Sequence, residues 1–351
     1  MDGKAIILAQ GMLDDNHAKT AHGLIRGTER YEIIGVIDRQ HAGLDAGIIV
    51  DGIERGIPVM SSLQQFQEHS LEAQFLIIGV ATKGGYIPDD MRREIREAVT
   101  QGLSIVNGLH EFLGDDPELS QLAAENNVRL IDIRKPRPKD QLQFWNGSIA
   151  EVLCPKIAVL GTDCAIGKRT TARMLMEAAK EQDLIAEMIY TGQTGWLQGG
   201  EYGFIFDSTY NDFVSGELEH AIVNCYREMQ PHMIFLEGQA ALQNPTGPCG
   251  PEFLISARTD GVILQHAPGR KYFGNQSSLG EIPPLINELE LIRLYGSTTL
   301  AIAQNNEGLT QQEADQIQKD TQELLNIPVV QPLKDGVGRL ITLIQETYDK
   351  D

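Results

Sequence analysis

The stretch KIAVLGTDCAIGKRTTARML, residues 156–175, holds the residues best suited to chemistry. A strand-like run leads into a glycine turn, a lysine and a helix-like run. The backbone N–H groups of such a turn and helix start point at one place and favour an anion, and Lys168 adds a mobile positive charge. The pattern predicts a phosphate site made by Gly161, Thr162, Asp163, Gly167, Lys168, Arg169, Thr170 and Thr171.

The loop departs from the usual nucleotide-binding pattern at two points. Five residues separate Gly161 from Gly167, where the general pattern has four. Arg169 stands where a serine or threonine hydroxyl normally binds Mg²⁺ beside the phosphates. Thr170 lies about 100° further round the helix, so it does not simply replace that hydroxyl. We therefore expect a site that holds phosphate but suits Mg²⁺-dependent hydrolysis poorly. Coenzyme A, whose phosphates serve only as a handle, is one fitting ligand.

Three further residues are candidates for catalysis. Glu237 ends the apolar run MIFLE, where its carboxylate would face the phosphate loop. It is a candidate general base for an attacking ammonium, a metal ligand, or a structural acid bonded to loop amides. His266, in QHAPGRK, is a candidate catalytic or structural histidine. Asp212 is a candidate catalytic acid or the cap of the helix that follows it.

Five polar residues are candidates for substrate binding. Arg270 follows a strand end and would clamp a substrate carboxylate. Gln193 and Thr194 lie in TGQTGW, which reads as a substrate-binding glycine loop or as a tight turn with an aromatic anchor. Gln243 and Asn244 form a turn near Glu237 and would orient the substrate.

Strand-like and helix-like runs alternate along the whole chain, which indicates an α/β protein. We expect a Rossmann-like domain over residues 1–135, a linker over 136–152 and a second domain over 153–351. The linker is predicted because KPRPKD combines two prolines with clustered charge.

The first domain is not predicted to bind NAD. Asp38 ends the second strand, where a ribose-binding acid would sit. The first turn, however, offers only Gly11 and places Asp14 and Asp15 where a pyrophosphate would lie. A scaffold that packs against the second domain is the favoured interpretation. The glycine loop TKGGYIP, residues 82–88, is a weaker candidate contributor to a cleft shared by the two domains.

The composition limits the classes of molecule that this protein is expected to bind. The net charge is -20, and no large basic patch offsets it, so we expect no nucleic acid and no anionic membrane as partners. The four cysteines lack metal-type spacing, which favours reduced cytosolic thiols and no metal. With no signal peptide and no long apolar run, we expect a cytoplasmic protein that acts on a small molecule, and a homo-oligomer.

Part of the sequence resembles dethiobiotin synthetase. GTDCAIGK is similar to the G-T-D-x-x-x-G-K-T loop of that enzyme, including the spacing of its glycines. FLEGQAAL, residues 235–242, resembles its E-G-A-G segment at a strand end. This resemblance implies an ATP-dependent carboxylate ligase or kinase that uses magnesium, although Arg169 departs from it.

A broader resemblance covers the second domain and, more loosely, the first. GTDCAIGKRTTA, TGQTGW, DFVSGELE, LEGQAAL and QHAPGRKYF together resemble the D-glutamate N-acetyltransferase-like family. Its members pair a Rossmann-like domain with a P-loop-type α/β/α domain that has a mainly parallel sheet, and they tend to have a GKxTT loop, which Arg169 fits. The resemblance implies acetyl transfer from acetyl-CoA to the amine of D-glutamate or a similar amino acid. A non-catalytic nucleotide-binding module is a third hypothesis.

Overall fold

The computed structural model describes residues 2–69 and 72–348. The chain divides into two compact units. Unit 1 extends to Pro136 and includes Gln193–Gly199, and unit 2 comprises Arg137–Gly192 and the chain from Gly200 onward.

Unit 1 is built on a six-stranded parallel sheet of order β3-β2-β1-β4-β5-β6. Its strands are β1 (Gly3–Leu8), β2 (Tyr31–Ile37), β3 (Val59–Met60), β4 (Phe75–Ile78), β5 (Ser104–Asn107) and β6 (Leu130–Asp132). Its first five helices are α1 (Lys19–Arg26), α2 (Ala46–Asp51), α3 (Leu63–Glu68), α4 (Asp89–Thr100) and α5 (Pro117–Glu125). The strand order reverses between β1 and β4, where sheets of this kind open a ligand crevice at their carboxyl ends.

Asp38, the acid after β2, closes a turn. Its side chain is fully buried. Its Oδ2 accepts from the Leu13 amide at 3.0 Å. Its Oδ1 accepts from the Gln40 and His41 amides at 3.0 and 3.2 Å. Both carboxylate oxygens therefore serve this turn.

Unit 2 is built on a second six-stranded parallel sheet, of order β12-β11-β10-β7-β9-β8. Its strands are β7 (Lys156–Gly161), β8 (Ala186–Ile189), β9 (Met233–Glu237), β10 (Gly261–His266), β11 (Thr298–Gln304) and β12 (Val329–Val330). The remaining helices are α6 (Lys168–Lys180), α7 (Gln193–Leu197), α8 (Asn211–Met229), α9 (Leu285–Leu294), α10 (Gln311–Leu325), α11 (Pro332–Asp335) and α12 (Gly338–Tyr348). Since β7 lies between β9 and β10, the carboxyl ends of these three parallel strands share one edge. The predicted α/β fold with mainly parallel sheets is confirmed.

The segment predicted as a linker packs on unit 2 from Arg137 onward. Two buried glutamates of α8 hold it. Glu217 accepts from the Gln143 amide at 2.8 Å. Glu219 accepts from the amides of Asn146 and Ile149 at 2.7 and 3.0 Å. The part of this segment that follows the prolines is thus anchored by hydrogen bonds from its backbone amides to the two carboxylates.

Helix α7 belongs to unit 1, although its neighbours in the chain belong to unit 2. The sequence predicted a glycine loop here. The helix is instead held by contacts that no local pattern reveals. The Gln198 side chain donates to the carbonyls of Gly23 and Gly27 at 2.9 and 3.0 Å. The Arg30 guanidinium lies 4.2 Å from the centroid of the Trp196 ring.

No helix in the described part of the chain is long and apolar enough to cross a bilayer.

Candidate functional site

The phosphate loop joins the central strand β7 to helix α6, as the sequence predicted. Every residue of β7 is buried, so the loop starts from a fixed point. Gly167 precedes the helix with φ 107°, in the left-handed region that favours glycine. Because glycine has no side chain, it cannot cap the first amides of α6, which point out of the helix start. This arrangement suits an anion.

Lys168 lies at the first position of α6 and is buried. Its ammonium donates to the carbonyls of Asp163 and Ala240 at 2.6 and 2.7 Å. Burial lowers the pKa of Lys168, and the nearby acidic groups of Cys164, Asp163, Cys249 and Glu237 oppose that shift. The ammonium therefore lies inside the loop, between the backbone oxygens of Asp163 and Ala240.

Asp163 holds the loop together. Its side chain is 0% exposed. It accepts from the Cys164 amide at 2.7 Å, the Asn244 side chain at 3.0 Å, the Arg270 guanidinium at 2.9 Å and the Gly274 amide at 2.8 Å. These donors come from the loops after β7, β9 and β10. Both side-chain oxygens of Asp163 are thus used within the protein, and the prediction that this residue binds phosphate stays a prediction that its side-chain contacts do not favour.

Arg270 is likewise committed to the loops. It is buried, and its Nη1 donates to Asp163 and to the carbonyl of Cys164, both at 2.9 Å. Its Nε and Nη2 donate to Glu307 at 2.9 and 2.6 Å. All three guanidinium nitrogens thus already donate within the protein. In this structure Arg270 organises the phosphate loop, and the predicted clamp for a substrate carboxylate stays a prediction that these contacts do not favour.

The ion pair between Asp163 and Arg270 is expected to matter for folding. Changing Asp163 to alanine leaves the buried Arg270 charge with one acid partner fewer, and breaking such a pair costs about 3–5 kcal/mol. Chemical denaturation would measure the loss in the free energy of unfolding. The matched control is Asp140→Ala, which removes an exposed acid and should change that energy by less than about 0.5 kcal/mol. Equal effects of the two changes would contradict the assignment.

Glu237 ends β9, beside the strand that carries the loop. It is buried, and its Oε2 accepts from the amides of Thr191 and Gly192 at 2.9 and 3.3 Å. Burial raises the pKa of Glu237, while the positive charges of Arg169 and Lys168 and the two amide hydrogen bonds act in the opposite direction. The structure thus brings Glu237, Lys168 and Arg169 together, and a carboxylate in this setting is suited to accept a proton.

Two hydroxyls of the predicted loop contact residues of β10. The Thr162 hydroxyl lies 3.0 Å from Nδ1 of His266. The Thr171 hydroxyl donates to the buried side chain of Gln265 at 2.6 Å. Thr170 and Arg169 are half-buried at the start of α6. Gln265 is a residue that the sequence analysis missed, although its position at the end of a predicted strand was a usable signal.

Burial lowers the pKa of His266 to about 4. Burial therefore favours the neutral imidazole at pH 7, where the protonated form that a general acid needs is rarely present. The predicted catalytic role of His266 stays a prediction. An unperturbed histidine titrates near pH 6.5. Protonation in the unfolded chain should destabilise the fold as the pH falls from about 6.5 to about 4.

This linkage can be tested with His266→Asn. Between pH 7 and pH 4 the natural protein should lose about 3 kcal/mol more of its free energy of unfolding than the variant. Denaturant titrations at several pH values would measure both curves. Parallel curves would show that His266 is not the buried neutral group described above.

The other predicted substrate residues lie in different places. Gln243 donates to Glu288 at 2.7 Å, and Asn244 is buried against Asp163. Both side chains bind protein groups around the loop after β9. These hydrogen bonds do not favour the prediction that Gln243 and Asn244 bind substrate, which stays a prediction. Asp212 is exposed in the first turn of α8 and makes no side-chain cap there. These contacts do not bring Asp212 to Glu237, and its predicted catalytic role stays a prediction.

Gln193 and Thr194 belong to unit 1. The Thr194 hydroxyl lies 3.1 Å from that of Thr20, and Gln193 accepts from the Arg134 guanidinium at 2.9 Å. The predicted glycine loop of the second domain is therefore corrected to a short helix in the first unit. Their neighbours Thr191 and Gly192 stay in unit 2, so the motif TGQTGW is divided between the units.

The residues after β11 were missed altogether. Asn305 donates to the Ile166 carbonyl of the phosphate loop at 2.8 Å, and Glu307 holds Arg270. The sequence TTLAIAQNN showed a strand ending in two amides, which was the only available signal. Without the strand order, the sequence did not indicate that the carboxyl end of β11 lies near the phosphate loop.

Comparison with known proteins agrees with the two-part architecture. A protein-family model, described as a domain of unknown function (DUF1611_C) and a P-loop domain, matches residues 143–341. A second family model, described as a domain of unknown function (DUF1611_N) and a Rossmann-like domain, matches residues 39–136. The crystal structure of a DUF1611 family protein from Anabaena variabilis aligns with a TM-score of 0.89 and 29% identity over 98% of this chain and 99% of that one.

Two curated relatives carry the name D-glutamate N-acetyltransferase. The protein from a Pseudoalteromonas species is 28% identical over 278 residues, which cover 77% of this chain and 81% of the relative. The protein from Tritonibacter scottomollicae is 27% identical over 275 residues, which cover 77% and 80%. The predicted family resemblance is confirmed, and the P-loop match alone spans more than half of the 351 residues. The chain therefore belongs to the DUF1611 family, whose members join a Rossmann-like domain to a P-loop domain.

Proposed function

We propose that this protein is an N-acyltransferase that moves acetyl from acetyl-CoA to the amine of D-glutamate or a similar amino acid. One observation carries the proposal. At the start of α6, Lys168 and Arg169 bring two positive charges close to Glu237, and an arginine stands where a magnesium-binding hydroxyl would be. Such a site suits a ligand held by its phosphates and a reaction that needs a base. The names of the two curated relatives support the same activity.

In this proposal the loop binds the cofactor and Glu237 moves the proton. The amides at the start of α6 and the Lys168 ammonium hold phosphate oxygens of acetyl-CoA. The Glu237 carboxylate takes one proton from the acceptor ammonium, which leaves a neutral amine. The amine nitrogen attacks the thioester carbonyl carbon, and the C–S bond breaks as the C–N bond forms. The thiolate leaves and takes up the second proton that the nitrogen releases.

The environment of Glu237 fits this role. An ordinary carboxylate is a weak base for an ammonium, and burial brings the pKa of Glu237 closer to a useful range. The positive charges of Arg169 and Lys168 act against that rise in the pKa of Glu237. The two amides of Thr191 and Gly192 hold one of its oxygens in place.

The test is an assay of free thiol. The full chain is incubated with acetyl-CoA and a panel of D- and L-amino acids, and we expect thiol release with acidic D-amino acids. No release with any of them would overturn the proposal. The ATP-dependent ligase or kinase predicts ADP formation with magnesium and a carboxylate substrate. Binding of acetyl-CoA or ATP without turnover in either assay would favour a nucleotide-binding module.

A further inference from the structure

Gln265 is a buried polar residue beside the phosphate loop, and the proposed reaction does not use it. It is the last residue but one of β10, and it pairs with Gly161 at the end of β7. Its carbonyl accepts from the Thr162 amide at 3.1 Å. The residue is only 2% exposed. The backbone of Gln265 therefore fixes the start of the phosphate loop, and its side chain is enclosed beside that loop.

The Thr171 hydroxyl sets the orientation of the Gln265 carboxamide. Thr171 lies in the first turn of α6 and is buried. Its hydroxyl donates to Oε1 of Gln265 at 2.6 Å. A hydroxyl has one proton to donate, and no other described residue offers that proton an acceptor within hydrogen-bond distance. Oε1 therefore faces Thr171, and the Nε2 group of the carboxamide faces another way.

The Nε2 group lies against Gly167, the glycine that precedes α6. A side-chain carbon placed on Gly167 would lie 3.6 Å from Nε2. Gly167 is half-buried, so this corner of the loop borders the surface. Nε2 carries two N–H bonds, and the described part of the chain offers neither of them an acceptor. Since buried donors are normally paired, Nε2 is placed to donate to a ligand of the loop.

The surroundings of Nε2 indicate an anionic ligand. The first amides of α6 point out of the helix start beside Gly167, and Lys168 adds a positive charge there. Asn305 also lies near Gly167, but its Nδ2 donates to the Ile166 carbonyl at 2.8 Å and so holds the loop. A phosphate oxygen accepts several hydrogen bonds, so helix amides, an ammonium and a carboxamide can share one phosphate.

We infer that Gln265 is a phosphate-binding residue, whose Nε2 donates to an oxygen of the phosphate held at the start of α6. Thr171 is its positioning residue, because the hydroxyl keeps Oε1 turned away from the anion that this oxygen would repel. The inference deepens the proposed function: it rests on the phosphate site of that proposal and does not depend on acetyl transfer.

The test is the affinity of the full chain for acetyl-CoA and for ATP without magnesium, measured by calorimetry. Gln265→Met removes the donor at nearly the same length and should raise the Kd about 10- to 100-fold, the usual effect of losing a hydrogen bond to a charged group. Gln265→Glu should raise it at least as much, because a carboxylate oxygen repels phosphate. Gln182→Glu changes an exposed glutamine just beyond the far end of α6 and should leave the Kd unchanged.

A pH series separates contact with the ligand from damage to the loop. The carboxyl introduced by Gln265→Glu can donate a hydrogen bond once it is protonated. The Kd of this variant, relative to that of the natural protein, should therefore fall as the pH is lowered from about 8 to about 5. A damaged loop would give the same ratio at every pH.

A pair of changes at Thr171 tests the positioning role. Thr171→Val removes the hydroxyl, so either end of the carboxamide can face the phosphate, and binding should weaken by less than in Gln265→Met. Thr171→Ser keeps the hydroxyl and should restore the affinity. Equal affinities of the valine and serine variants would contradict the role of Thr171.

Unchanged affinity for both ligands in a folded Gln265 variant would overturn the inference, as would a Gln265→Glu defect that does not vary with pH. Thermal unfolding identifies the folded variants. Gln265→Asn replaces one that does not fold, and it should weaken binding because its shorter side chain withdraws the donor. If the natural protein shows this pattern but releases no thiol, acetyl transfer is wrong and the inference stands. If it binds neither acetyl-CoA nor ATP, both proposals are wrong.

Discussion

Replacing Lys168 with methionine is expected to raise the KM for acetyl-CoA about 10- to 100-fold. A charge-assisted hydrogen bond to phosphate is worth about 1.5–3 kcal/mol, and methionine has nearly the length of the lysine side chain without its charge. Steady-state thiol release measures the effect. Since the loop amides at the start of α6 remain, some binding should persist.

The control for this change is Lys180→Met, at the opposite end of the same helix, where the lysine is exposed. It should leave the KM unchanged. Thermal unfolding separates binding from folding, because Lys168→Met removes a buried ammonium as well as its two contacts to backbone carbonyls. An unchanged KM in a folded Lys168 variant would show that the loop does not hold the cofactor.

The strands could be predicted from the sequence because parallel strands are buried on both faces. Runs such as KIAVLG and MIFLE are apolar without alternation, which is the pattern expected of buried strands. The phosphate loop was predictable for another reason, since its glycines and Lys168 follow each other in one short stretch. In the structure these residues form a single loop between β7 and α6.

The role of Arg270 could not be predicted, because its partners are distant in the sequence. Asp163 lies 107 residues away and Glu307 lies 37 residues away. An arginine after a strand end looks the same in the sequence whether it meets a substrate carboxylate or a carboxylate of the protein. Only the order of the strands shows that the loops after β7, β10 and β11 meet.

Helix α7 shows the same limit. Its five residues are too few for a helical period to be recognised, and two of them are glycine or threonine at positions typical of loops. The helix forms because unit 1 supplies partners such as Thr20 and Arg134. The residues of TGQTGW therefore divide between two amides that bind Glu237 in unit 2 and a short helix of unit 1.

Changing Glu237 to glutamine is expected to lower kcat by about 10²- to 10⁴-fold, the usual contribution of a positioned general base. Glutamine keeps the shape of the side chain and can still accept from the amides of Thr191 and Gly192, but it cannot take a proton at neutral pH. The KM for acetyl-CoA should change little, because the phosphates rest on the loop rather than on Glu237. Thiol release at saturating substrate measures the loss.

The variant should not be less stable at neutral pH. Burial raises the folded-state pKa of Glu237 above its ordinary value, so the native fold binds this proton more tightly than the unfolded chain does. The stability that this proton contributes is present at low pH and is lost as the pH rises through the raised pKa. Glu237→Gln removes that loss, so its free energy of unfolding relative to the natural protein should increase with pH. A variant that unfolds more easily at pH 8 than at pH 5, relative to the natural protein, would contradict this.

The pH dependence of kcat gives the most specific test of the base. Glu237 must be ionised to accept a proton, so kcat should rise with pH through the raised pKa of Glu237. Arg169 holds that pKa down by its positive charge, and Arg169→Gln should therefore move the rising limb to higher pH. Arg173→Gln, one turn further along α6, changes the same charge with a smaller expected shift. If Glu237→Gln keeps both its rate and this pH dependence, another group is the base. In that case Arg169 would serve phosphate binding alone, and its change would raise the KM for acetyl-CoA without moving the pH profile.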